Sequence, residues 1–159
     1  MPVSLAEVLS YQSKITPSVY DRFLHSFPMP REEAELIFAD CLRYLWLLAK
    51  KDEERKTDPS TPDIVVTKGM RIIDEMWHSF ILYTEFYVAF CEKYLGEFKH
   101  HPPILHKWYK NKEELGEEES WEIAVSELIE CVYEELGEDV AIRWFSTYVE
   151  KYDFPQMMH

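Results

Sequence analysis

Glycine is scarce, with four in 159 residues, so long helices can run without a flexible break. Cysteine is scarcer: three, at 41, 91 and 131, widely spaced and odd in number. No Cys-x-x-Cys pair occurs, which excludes a thiolate-built structural zinc site. Three solitary thiols fit a reducing compartment better than a disulfide framework. No apolar run approaches the ~20 residues that a membrane-crossing helix needs. The opening MPVSLAEVLS has neither the basic start nor the apolar core of a secretory leader, so a cytoplasmic protein is expected. No glycine-rich phosphate loop or dinucleotide fingerprint occurs, so no nucleotide cofactor is expected. Gly-x-Ser-x-Gly is absent as well. Cys91 with His100 is the one nucleophile–base pairing that a metal-free hydrolase could use.

Positive charge is in deficit, and the deficit is local. The net charge is −13, and the stretch from Glu113 to Asp139 holds twelve acids with no Lys or Arg. The rest of the chain is close to neutral. Such a face repels phosphate backbones, so nucleic acid is not an expected partner. It is either a solvated surface that maintains solubility or a docking face, residues 113–139, for a basic protein.

What the chain has is apolar and aromatic side chains, at 47% and 15% of residues. That is too rich for disorder, and the length suits one domain with a sizeable core, residues 1–159 with a frayed tail at about 152–159. The pattern is all-α: an irregular bundle of five or six helices around a long central helix, with a His-His-Pro-Pro turn. Ser4-Leu5-Ala6-Glu7 is a capping box opening a short helix. Thr16-Pro17 opens a second helix, which stops before Phe27-Pro28 and carries His25 at its end. Arg31 to about Arg55 is long and apolar nearly all round in its middle, as a buried helix should be. Thr57 to Asp63 is a loop. Ile64 to Thr67 looks extended but is too short and solitary to build a sheet. Ser120 is expected to cap a helix whose buried face carries Ile123, Ala124, Leu128, Ile129, Val132 and Leu136. A last helix is expected from about Glu138 to Lys151.

The chemistry is concentrated between Met70 and Pro103. Ile73, Met76, Trp77, Phe80, Tyr87, Val88, Cys91, Tyr94 and Leu95 recur at helical spacing within an arc of about 120°, which predicts one long amphipathic helix. Asp74, His78 and Glu85 fall within about 40° of one another beside that stripe, flanked by Arg71 and Glu75. Asp74 and His78 are four apart and meet on one face. A carboxylate there can fix the imidazole tautomer, raise its proton affinity or share a metal with it. Glu75-x-x-His78 matches the helical pair of di-iron bundles, but no second such pair exists. Position 74 is not histidine, so the zinc-protease pattern fails too. Cys91 points about 140° away from His78 and belongs to the buried stripe.

Gly96 is placed to end the helix, and Pro102 and Pro103 forbid its continuation. His100 and His101 precede the prolines and His106 follows. On an unbroken helix, His78 lies about 25 Å from Leu95, whereas His101 has at most about 20 Å of extended chain. His101 then meets His78 only with the loop nearly straight. Glu85 lies about 15 Å from the helix end, and His106 has enough chain to reach His78. One site holding every candidate is not expected.

The string Asp74-x-x-Trp77-His78-x-Phe80-Ile81-Leu82-x-Thr84-x-x-Tyr87-x-x-Phe90-Cys91, then Gly96-x-Phe98-x-His100-His101-x-Pro103, resembles the family of domains named after plant glycine-rich domain proteins. That family also has small bacterial members of unknown function. The resemblance spans roughly residues 60–110, and the glycine-rich tail of the plant proteins is missing here. It implies a mainly helical domain and focuses attention on Asp74, His78, His100 and His101. It implies no reaction.

Two functions are therefore expected. In the first, His78 and His101 ligate zinc, iron or manganese, with Asp74 as a third ligand or a partner to them and His100, His106 and Glu85 in reserve. An open coordination position would then make a metal-dependent enzyme. In the second, the same residues are structural, and the chain is a non-enzymatic acidic interaction module.

Overall fold

A computed structural model describes residues 1–15, 17–101 and 116–153. Among these the chain is helical and contains no strand, the expected all-α class. It divides into two compact units. The first comprises residues 1–50 and 71–99; the second comprises residues 51–70, 100–101 and 116–153. Thr16, Pro102, Pro103, His106 and the 154–159 tail lie outside the described residues.

In the first unit, α1 (Leu5–Ser10) opens on the expected capping box. The Glu7 N–H donates to Ser4 Oγ at 3.3 Å. A short 3-10 turn at Tyr11–Ser13 follows, then α2 (Ser18–Ser26). The long helix α3 (Arg31–Arg55) spans its predicted bounds. Pro28 and Pro30 precede it, no glycine or proline interrupts it, and Glu32 and Glu33 complement the positive end of its dipole. Its middle is buried on every side, from Ile37 to Ala49 with only Arg43 and Trp46 partly exposed.

The predicted single helix from Met70 to Leu95 is instead two. α4 (Arg71–Ile81) stops, Leu82 and Tyr83 form a turn, and α5 (Thr84–Phe90) restarts. Tyr83 takes non-helical angles (φ −88°, ψ 63°) while its hydroxyl donates to the Ser18 carbonyl of α2 at 2.8 Å. The Tyr83 N–H closes the turn on the Phe80 carbonyl at 3.0 Å, and the Tyr83 hydroxyl ties the turn to α2. α5 runs on through a wide π turn, Cys91–Leu95, and ends at Gly96, whose φ of +90° favours glycine.

Phe80 is the hub of this unit. It is fully buried, and its ring lies 5.4 Å from Phe38 of α3, 5.1 Å from Tyr87 and 5.4 Å from Phe90 of α5. Val88, expected in the stripe, is exposed, because the break re-phases α5.

In the second unit, the 57–63 loop is closed by Arg55, which donates to the Pro62 carbonyl at 2.7 Å and pairs with Asp63 at 3.4 Å. Ile64 to Thr67 has no regular structure, with Ile64 and Val65 buried, and leads into a 3-10 turn at Lys68–Met70. Gly69 is required there: a Cβ would collide with the Trp144 carbonyl and lie 2.9 Å from Val149 Cγ2. α6 (Glu117–Leu136) starts three residues before the expected Ser120 cap, on Gly116 at φ +82°. Ser120 is buried inside the first turn. Leu128 and Val132 are fully buried, whereas Ile123 and Ile129 are exposed, so the buried face is narrower than its apolar content suggested. Gly137 at φ +97° separates α6 from α7 (Glu138–Ile142), which continues through a π turn at Arg143–Thr147 into α8 (Tyr148–Lys151).

No helix among the described residues is long and apolar enough to cross a membrane.

Candidate metal centre

α4 builds the site from two helical spacings. Asp74 and His78, four apart, bring Oδ2 and Nε2 to 3.5 Å. Glu75 and His78, three apart, bring Oε2 and Nδ1 to 3.4 Å. Both ring nitrogens of His78 therefore face a carboxylate. The helix forms because its apolar positions bury Ile73, Met76, Trp77 and Phe80 against the core. That burial carries Asp74 inward too: it is 5% exposed, although the wheel placed it beside the stripe. His78 stays about half exposed at the helix C-terminus, where the dipole favours a cation.

The Glu75 hydrogen bond and the Asp74 and Glu75 charges raise the His78 pKa above the ordinary imidazole value. Burial and the Arg22 guanidinium on α2 oppose them and lose. Both carboxylate distances exceed the 2.7–2.9 Å of a tight charge-assisted bond. The Asp74–Nε2 distance matches the spacing of two atoms that share an ion. Two ligand atoms about 2.0–2.1 Å from a tetrahedral zinc stand about 3.3 Å apart.

His101 completes a group of three. One ligand atom each from Asp74, His78 and His101 lies within 4.8 Å of the others. On an unbroken helix His101 meets His78 only through a taut loop, and the turn at Leu82–Tyr83 removes that rod of about 25 Å. After Gly96 the chain then folds back along α5: Phe98 packs edge-on against Tyr87 at 5.5 Å, and the Lys99 carbonyl accepts the Tyr87 hydroxyl at 2.6 Å.

The other candidates stand apart from the group. His100 is adjacent in the chain but exposed. Glu85 sits exposed on α5, because the break destroys the phase it shared with Asp74. His106 lies outside the described residues. All three cysteines are buried free thiols. Burial raises the thiol pKa of Cys91, as it does for Cys41, which also feels the Asp74 charge; this removes the basis for a Cys91–His100 nucleophile. Glu75 was visible in the sequence only through its i, i+3 spacing, and its contact with Nδ1 is what gives it a role.

A model of the UCP032817-like family, whose name assigns no activity, matches residues 14–140. No curated protein and no solved structure matches the chain.

Proposed function

The chain belongs to the UCP032817-like family, and we propose that it is a metal-binding helical protein whose ion is held by Asp74, His78 and His101. The observation that carries this is the convergence of one buried carboxylate and two imidazoles within 4.8 Å. Nitrogen and oxygen donors without thiolate suit zinc, iron or manganese. Three protein ligands leave a coordination position open, at which such an ion activates water or dioxygen, so the same site supports a metal-dependent enzyme. The likeness of the 74–103 string to the plant glycine-rich domain family belongs to this proposal. So does a cytoplasmic location, for which three buried, unbridged thiols speak.

A second reading is favoured by one feature. Both His78 nitrogens face carboxylates, so a protonated ring ties down the end of α4 with no ion. The protein is then a non-enzymatic module that offers a basic partner the acidic face of α6, with Glu119, Glu122, Glu127 and Glu130 exposed.

Elemental analysis of untagged protein, prepared without chelator, separates the two. The metal reading expects close to one zinc, iron or manganese per chain, lost in His78→Ala and in His101→Ala with helicity by circular dichroism retained. Protein that holds no ion, and whose melting is unmoved by added zinc, iron(II) or manganese, would leave the second reading in place.

A further inference from the structure

We infer that Tyr87 is the positioning residue that delivers His101 to Asp74 and His78. The inference rests on the metal reading above. Asp74 and His78 share α4 and need no help to meet. His101 is in a segment without regular structure, so something must fix it.

Trp77 precedes His78 on α4 and is buried. Its indole N–H donates to the Tyr87 hydroxyl at 3.0 Å. That hydroxyl donates in turn to the Lys99 carbonyl at 2.6 Å. Tyr87 is 1% exposed and Lys99 6%. The Lys99 backbone also hydrogen-bonds Cys91, and Lys99 Nζ pairs with Glu97 at 2.9 Å. Lys99 is thus held at its backbone and at its side chain. His101 follows two residues later, at most about 7 Å of extended chain.

The Tyr87 hydroxyl is buried with its donor and acceptor roles both used. Moving Lys99 would strand its own buried carbonyl and the Tyr87 O–H, each costly to leave without a partner. The relay therefore ties the helix that carries two ligands to the segment that carries the third. A ligand held in place before binding loses less conformational freedom on binding, and affinity rises accordingly.

The test is a double-mutant cycle on cobalt(II) affinity, read by competition with a chromophoric chelator. Tyr87→Phe keeps the ring and removes the hydroxyl. It is expected to weaken binding about tenfold or more, the range seen when a partner of a ligand is lost. In the His101→Ala background, which does not keep metal through purification but is left with weak uptake of added cobalt at Asp74 and His78, the same change should alter that residual affinity less than about twofold, because Tyr87 acts through His101. Wild-type affinity in Tyr87→Phe, or an equal loss in both backgrounds, overturns the inference. Trp77→Phe spares the bond to Lys99 and should weaken binding less than Tyr87→Phe; the reverse order also counts against it.

Hydrogen exchange at the Lys99 amide of metal-free protein separates this inference from the metal reading. Tyr87→Phe should speed it about tenfold or more while α4 amides are unchanged. If the wild type takes up no cobalt but exchange responds, the metal reading falls and the hold of Tyr87 on Lys99 stands. Unchanged exchange sinks the positioning role whatever the metal result.

Discussion

His78 is the residue on which the site turns, because each of its ring nitrogens has a carboxylate neighbour. Its raised pKa makes a pH-dependent contribution to the stability of the metal-free protein. The sign follows from linkage: folding raises the proton affinity of His78, so its stabilisation is complete below the unfolded value of about 6.5 and is lost as pH rises through the folded value. Urea unfolding of wild type and His78→Gln across pH 5–9, in chelator, should show the largest wild-type advantage at the acid end. It should disappear on the alkaline side. An advantage that grows with pH would contradict the clamp by Glu75 and Asp74. Asp74 differs from Glu75 in burial, and that difference separates their roles. In the proposed metal reading, the buried carboxylate is the ligand and the more exposed one orients the ring.

At the scale of elements, the break between α4 and α5 shapes the region around Asp74 and His78. Two short helices joined at Leu82–Tyr83 let the chain double back, and Phe80 cements the arrangement through ring contacts to α3 and α5. Phe80→Ala removes a fully buried ring and should destabilise the protein by about 3–5 kcal/mol, measured by chemical denaturation. A loss under about 1 kcal/mol would mean that the ring cluster does not hold these elements together. A trace of the break is present in the sequence. The apolar stripe jumps from Phe80 to Tyr87, and Thr84, which an unbroken helix would turn toward the core, is polar and exposed. Periodicity alone does not locate the turn, because the Tyr83 hydroxyl that anchors it donates to Ser18, 65 residues away in the chain.

The whole molecule carries a net charge of −13, and most of the imbalance lies on and beside α6. Lys51 pairs with Glu135 on α6 at 3.5 Å. Like charges on one helix repel over about 8–10 Å at moderate salt, and the repulsion is screened as salt rises. The melting temperature should therefore increase between about 0.01 and 0.15 M sodium chloride. A decrease would show that attractive pairs, such as Arg43–Asp40 at 2.7 Å, outweigh the acidic face.

What the sequence by itself determined is local. Helical class, the capping box at Ser4, the bounds of Arg31–Arg55, the stop at Gly96 and the meeting of Asp74 with His78 all depend on residues within a turn or two of each other. Spacing, caps and the peculiarities of glycine and proline act over that range. Tertiary structure decided the rest: where the helix after Met70 breaks, that Asp74 is buried, that Glu85 leaves the group and that His101 joins it. The contacts that accompany this arrangement join residues distant in the chain, Tyr83 with Ser18 and Phe80 with Phe38. Hydrophobic burial and buried hydrogen bonds set such contacts, and neither leaves a periodic mark along the chain.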